Sequence, residues 1–204
     1  MAMRTIEEVM NLAPVIPVLT IKRAEHAVPL ARALLAGGLR VLEITLRTDV
    51  ALDAVRAIAQ SVPEAVPGVG TVTTPEDLSE ARAAGAQFAV SPGFSSDLVT
   101  AAGDLPYLPG IATASEAMAA QRIGLRCLKY FPAEAMGGRK ALTALAGPFP
   151  NLNFCPNIPK KVRFTNELRV GDTIKENEIS MYYFGNYSYK SIVIPTIRIK
   201  NTKN

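Results

Sequence analysis

The sequence predicts an α/β protein whose parallel sheet is closed as a barrel. Short apolar runs alternate with amphipathic stretches as far as residue 156, and polar residues sit at the ends of several different runs. The units recur about every 20–25 residues, the length of one strand plus one helix. The runs cover 15–19, 41–45, 65–69, 88–91, 107–109, 127–131 and 152–155, with helix patterns at 24–36, 49–61, 75–84, 97–102, 116–123 and 139–146. Stop and start signals separate them: Gly37-Gly38, Thr74-Pro75 with Glu76, Gly85, Ser95-Ser96, Ser115-Glu116 and Gly124.

A doubly wound nucleotide-binding sheet would need Gly-x-Gly-x-x-Gly after its first strand, where Leu19-Thr20-Ile21-Lys22 stands instead. Gly68-Val69-Gly70-Thr71 follows the third run, lacks the third glycine and reads as a tight turn. Glu43, Thr45, Arg47, Thr71, Ser91 and Lys129 are spread over many strand ends, which is what a (β/α)8 barrel offers.

A chain of 204 residues can bury one sizeable core with a small appendage. With 49% hydrophobic and 20% charged residues it is globular rather than disordered. No apolar run is long enough to span a membrane, and residues 1–11 carry Arg4, Glu7 and Glu8 with no secretory apolar core. Cys127 and Cys155 are too few for a disulfide scaffold, so a cytoplasmic location is expected.

The net charge of +4 is unevenly placed. From Asn157 onward nine Lys/Arg face four acids, leaving thirteen basic and fourteen acidic residues before it. The later segment also holds no alanine. Two units are therefore expected: a barrel over 1–156 and an unrelated, basic, β-rich segment over 157–204, as in a fusion or chimera.

Alternation puts Glu43, Thr45 and Arg47 on one face of their strand, and Cys127, Lys129 and Phe131 on one face of another. Lys129 lies in the apolar stretch Cys127-Leu-Lys-Tyr-Phe-Pro132. A buried lysine either pairs with a carboxylate or gives up its proton, and the free amine can attack a carbonyl to form a Schiff base. The bland alternatives are a lysine that snorkels from the strand end or one bridged to Glu43 with no reaction. Glu43 is either half of an ion pair with Arg47 or a general base tuned by burial and that arginine. His26 reads as a solvated or interface residue, the two cysteines as free core thiols, and Gly137-Gly138 as a helix opening. One histidine and no clustered ligands speak against a metal site.

The segments Val41-Leu-Glu-Ile-Thr-Leu-Arg-Thr48, Gly68-Val-Gly-Thr-Val72, Gly85-Ala-Gln-Phe-Ala-Val-Ser-Pro-Gly93, Leu108-Pro-Gly-Ile-Ala-Thr-Ala-Ser-Glu116 and Lys129-Tyr-Phe-Pro-Ala-Glu-Ala-Met-Gly-Gly138 form a connected series, continued by Ala146-Gly-Pro-Phe149 and Phe154-Cys-Pro156. Together they resemble the 2-keto-3-deoxy-6-phosphogluconate (KDPG) and 4-hydroxy-2-oxoglutarate aldolases. The resemblance implies a (β/α)8 barrel, a homotrimer and a metal-free class I aldolase with no cofactor. Such an enzyme cleaves KDPG to pyruvate and glyceraldehyde 3-phosphate in the Entner–Doudoroff pathway. By motif position it makes Lys129 the Schiff-base lysine and Glu43 the acid/base. It gives Arg47 and Thr71 the pyruvyl carboxylate, and Pro92 and Phe131 the pocket walls.

After Phe154-Cys-Pro156 the resemblance stops. The family continues Thr-Gly-Gly-Ile and later supplies a second glycine–serine loop, and these two loops hold the substrate phosphate on backbone N–H groups. This chain reads Asn157-Ile-Pro-Lys-Lys161 instead, so no residue inherits that role; Lys160 and Lys161 offer charge alone. The remainder patterns as strands at 161–167, 178–184 and 187–200, with turns at 170–172 and 185–186, and is expected to form a separate hairpin or meander beside an open barrel seam. The run 191–194 is a lesser candidate for an eighth strand. Tyr182, Tyr183, Tyr187 and Tyr189 among basic residues read as a solvated sheet face rather than a nucleic-acid surface, and Asn186-Tyr-Ser188 matches a glycosylation sequon that a cytoplasmic protein would not use. Two functions remain: an aldolase with weakened phosphate recognition, or a catalytically impaired truncated barrel that serves as an oligomerising scaffold for the C-terminal segment.

Overall fold

The computed structural model describes residues 5–13, 15–157 and 179–183. Expected strands and turns within 158–178 and 184–204, the sequon, Lys160 and Lys161 lie outside the described residues, as do the tyrosine side chains of the segment.

In chain order the elements are α1 (Ile6–Asn11), β1 (Val15–Leu19), α2 (Ala27–Ala36), β2 (Val41–Thr45), α3 (Ala51–Ser61), β3 (Val66–Gly70), α4 (Pro75–Ala83), β4 (Ala89–Val90), α5 (Ser96–Ala102), β5 (Tyr107–Leu108), β6 (Gly110–Ile111), α6 (Ala114–Arg122), β7 (Cys127–Tyr130), α7 (Gly138–Ala146), β8 (Asn153–Pro156) and β9 (Ile179–Tyr183). Strands β1 to β5 pair in parallel in sequence order, and so do β6 to β8. The run expected at 107–109 is observed as β5, and Pro109 separates it from β6, which the pattern does not include, but the ladder continues through the proline. Ser91 donates its amide to Leu108 on one side, and Lys129 donates its amide to the Pro109 carbonyl on the other. The result is a β/α barrel of seven parallel places.

Every residue of β1, β2 and β3 is buried, as a sheet covered on both faces requires. Alternation sorts the side chains. Leu42 and Ile44 of β2, with Val69 of β3, face the helix layer and pack with Leu34, Val55 and Ile58. Val41, Val66, Phe88, Val90, Leu108, Cys127 and Cys155 face inward. Val9 and Met10 of α1 join that inner cluster, so the first helix closes the end of the barrel where the strands begin. The sequence pattern passes over α1, although Thr5 and Glu8 form a complete capping box at its start. Equivalent boxes, Thr74 with Asp77 and Thr113 with Glu116, start α4 and α6.

The helix pattern at 24–36 resolves into a short 3-10 turn, Ala24–His26, followed by α2. Pro29 explains the break: its ring is incompatible with an α-helical carbonyl four residues earlier. Gly137, with φ +96°, opens α7 as expected.

The expectation that the C-terminal segment stands apart from an open seam does not hold for 179–183. Strand β9 pairs antiparallel with β1 over its full length, from Val15 opposite Tyr183 to Leu19 opposite Ile179. It also approaches β8 and so stands in the gap between the first and last parallel strands. The N–H and C=O groups that the β1 edge would otherwise leave unsatisfied explain why a strand is held there. Among the described residues no helix is long and apolar enough to cross a membrane.

Candidate active site

Two inward positions on opposite sides of the barrel carry charge. Glu43 from β2 is 2% exposed and Lys129 from β7 is 4% exposed. Lys129 Nζ donates to Glu43 Oε1 at 3.5 Å. The same ammonium lies 5.1 Å from the centre of the Phe131 ring, two residues along the strand direction on the same face. Burial pushes the Glu43 carboxyl above the ordinary carboxylate range, against the opposing pull of the Lys129 charge and hydrogen bond and, to a lesser degree, of Arg47. A carboxyl in that condition can exchange a proton with a neighbouring amine.

Glycines make room for this pair. Glu43 stands in register with Gly68 on β3. A Cβ on Gly70 would fall 2.0 Å from Glu43 Oε1, and one on Gly68 would fall 2.4 Å from the Phe88 ring. The Gly-Val-Gly sequence is therefore not a tight turn but the inner face of a strand, kept bare because a carboxylate and an aromatic ring lie directly over it. This corrects the sequence expectation, and the signal that could have found it is the alternation of the two glycines with buried Val69.

At the wide end of the barrel Arg47 is exposed and donates from Nε to Thr71 Oγ1 at 3.1 Å. Thr71 has φ +64°, a left-handed conformation that costs a β-branched residue energy and tends to persist only where the surroundings impose it. Glu43 thus pairs with Lys129, while Arg47 turns to Thr71. Thr45, another strand-end candidate, donates to the Leu19 carbonyl at 3.1 Å and meets Thr20 Oγ1 at 3.0 Å, which ties β2 to β1 instead of facing the lysine.

Pro92 reaches the site across β6. Gly110 is the register partner of Lys129, and a Cβ on Gly110 would lie 2.1 Å from the Pro92 carbonyl oxygen. The Pro92–Gly93 peptide therefore folds inward beside the lysine. Lys129 meets both Glu43 and Phe131, Pro92 lies against Gly110 on the neighbouring strand, and Arg47 with Thr71 forms a second cluster.

Cys155 is the register partner of Lys129 on the opposite neighbour, β8. Burial, the dominant cause, pushes its thiol up to about 12, and that of Cys127 up to about 11. Both are free and buried, as expected from the sequence. Among the described residues no group of three or more His, Cys, Asp or Glu side chains is placed to hold a metal ion. His26 is half-buried at the start of α2.

The family described as "Aldolase: KDPG and KHG aldolase" matches residues 6–164, eight residues past the point where the motif series ends. The 2-dehydro-3-deoxy-phosphogluconate aldolase of Dickeya dadantii is 57% identical over 152 residues, covering 74% of this chain and 71% of that protein. The KHG/KDPG aldolase of Escherichia coli is 56% identical with the same coverage. Among solved structures, the KDPG aldolase of Legionella pneumophila with pyruvate captured at low pH as a covalent carbinolamine intermediate has a TM-score of 0.73 at 44% identity, covering 75% of each chain. The KDPG aldolase of Zymomonas mobilis with 3-phosphoglycerate has a TM-score of 0.72 at 48% identity, covering 76% of this chain and 75% of that one. The fold, the extent of the match and these identities agree: the chain belongs to the KDPG and KHG aldolase family.

Proposed function

We propose that the protein is a class I aldolase that cleaves a phosphorylated 2-keto-3-deoxy acid of the KDPG type to pyruvate and glyceraldehyde 3-phosphate through a Schiff base on Lys129. The observation that carries the proposal is the buried Lys129–Glu43 pair, 3.5 Å apart, in a member of an aldolase family. Transfer of a proton from Lys129 to Glu43 frees the amine. Its lone pair then attacks the C2 ketone, and after an internal proton shift the carbinolamine hydroxyl takes the proton held by Glu43 and leaves as water, which gives the iminium and returns Glu43 to its carboxylate. Glu43, as carboxylate, takes the proton of the C4 hydroxyl. The C3–C4 bond breaks, its electron pair flows into the iminium, and the aldehyde leaves. The remaining enamine takes at C3 the proton that Glu43 removed from the C4 hydroxyl, and hydrolysis of the resulting iminium by water releases pyruvate and the free lysine.

Arg47 and Thr71 hold the pyruvyl carboxylate in this scheme, the guanidinium supplying charge and the threonine hydroxyl a second donor. Pro92 and Phe131 form the pocket walls, and the Phe131 face favours the positive charge that develops on the iminium nitrogen. Catalysis rests on residues 1–156, with 157–204 contributing no catalytic side chain. Because that segment lacks the family's Thr-Gly-Gly-Ile, phosphate recognition is weakened and the cost falls on KM. The same family membership carries the expectation of a homotrimer.

Incubation with KDPG, with released pyruvate followed by coupled reduction to lactate, tests the proposal. Turnover that disappears in Lys129→Met is the expected result. No turnover at any accessible substrate concentration, with the protein folded, would favour the impaired-scaffold alternative.

A further inference from the structure

A hydroxyl chain on the outer side of the barrel ends at the Gly93 carbonyl, one peptide beyond the Pro92–Gly93 peptide that lies against Gly110 on the inner side. Ser91 is completely buried and makes two contacts of 2.6 Å, one to the Gly93 carbonyl oxygen and one to the Tyr107 hydroxyl. Counting protons fixes their direction. A serine hydroxyl has one hydrogen, and a carbonyl can only accept, so Ser91 donates to Gly93 and must accept from Tyr107. Tyr107 is 6% exposed, packs in the outer core, and its phenol is held protonated by burial, so the donor is available throughout the working pH range.

The same turn is seated from the other side. The Pro92 carbonyl oxygen and carbon would lie 2.1 Å and 2.4 Å from a Cβ on Gly110, so only a residue without a side chain admits this peptide. Gly110 is in turn the register partner of Lys129, and neighbouring strands are about 4.8 Å apart. The turn 91–93 is thus gripped outside by hydroxyls and notched inside by a glycine, at the strand position paired with Lys129.

We infer that Ser91, Tyr107 and Gly110 form a clamp on the two consecutive peptides of the turn at Pro92 and Gly93 and so set its position as the pocket wall on the Lys129 side, which makes them positioning residues for the keto-acid substrate. The inference rests on the Schiff-base assignment of Lys129 and adds to it a device that controls how closely the keto acid can approach. None of the three touches substrate. Their effect passes through one turn, and a displacement near 1 Å at a reacting centre can cost up to about a hundredfold in rate.

The test uses the full chain with three substitutions that disturb the peptide by unrelated routes: Ser91→Ala removes the middle hydroxyl, Tyr107→Phe removes only the outer donor, and Gly110→Ala pushes from the inside. Gly93–Phe94 is the only Gly–Phe step in the sequence, so carbonyl-13C glycine with 15N phenylalanine gives a single cross-peak that reports the Gly93 carbonyl, the point where Ser91 grips the turn. Each variant is expected to move that peak. Each is also expected to raise the pyruvate concentration for half-maximal borohydride trapping about tenfold, with the maximal trapping rate changed less than threefold. Tyr107→Phe keeps the ring in place and serves where Ser91→Ala or Gly110→Ala fails to fold. A cross-peak that stays put, or one that moves while the pyruvate dependence does not, overturns the clamp. Absence of any adduct in the unsubstituted protein overturns the Schiff-base assignment instead, and the clamp then stands or falls by the cross-peak alone.

Discussion

Replacing Gly70 by alanine places one methyl group against Glu43, the buried acid among the described residues. The new Cβ would lie 2.0 Å from Glu43 Oε1, 2.7 Å from Cδ and 2.8 Å from Cγ. Reaching ordinary contact requires the carboxylate to retreat by about 1 Å or more. Glu43 has no free direction to take, since it is 2% exposed and its Oε1 already stands 3.5 Å from Lys129. Overpacking of this kind costs about 1–3 kcal/mol of stability, and a misplacement of about 1 Å at the reacting centre costs up to about a hundredfold in rate. At about 2–4 °C per kcal/mol for a chain of this size, melting falls by roughly 2–12 °C. The assay is coupled pyruvate release from KDPG beside thermal unfolding. The expected outcome is a folded protein with kcat reduced about 10–100-fold and KM changed little. Activity within threefold of the parent would refute the claim that the bare face of β3 is shaped for the Glu43 carboxylate.

The remaining predictions concern pH, the thiols and the second cluster. Glu43 must be ionised to accept the C4 hydroxyl proton, so cleavage is lost as pH falls through its raised pKa; the acid limb of kcat/KM lies above the ordinary glutamate value of 4.5 and vanishes from the residual activity of Glu43→Gln. With thiols at about 11 and about 12, Cys127 and Cys155 are thiolate to roughly one part in a thousand or less at a pH of about 8, so iodoacetamide labels neither until the protein is denatured; native labelling at the rate of a free thiol contradicts this. Thr71→Gly removes both the strained side chain and the partner of Arg47; stability stays within about 1 kcal/mol by denaturant titration while KM rises about tenfold, whereas an unchanged KM would dissociate Thr71 from carboxylate binding. Removing residues 158–204 uncovers the β1 edge, and self-association by light scattering should increase.

The central pair was legible because strand alternation is strict: Glu43 and Lys129 each sit between outward apolar neighbours, so both had to face the interior. What lay outside reach was the third dimension around them. Gly68 and Gly70 look like turn residues until one sees which side chains they accommodate. Tyr107 reads as an ordinary apolar strand residue because its hydroxyl partner, Ser91, comes from a different strand end. The capping box of Thr5 and Glu8 was local and readable, and only the shortness of α1 hid it. The pairing of β9 with β1 joins opposite ends of the chain and depends on an exposed edge, which no local pattern records.

The assignment of Lys129 as the nucleophile is tested most directly by incubating the protein with pyruvate and borohydride and locating the product by peptide mass spectrometry. A reduced pyruvyl adduct on Lys129, absent without pyruvate and slowed in Glu43→Gln, is the predicted result. An intact protein with no adduct, or one modified at another lysine, would contradict the account.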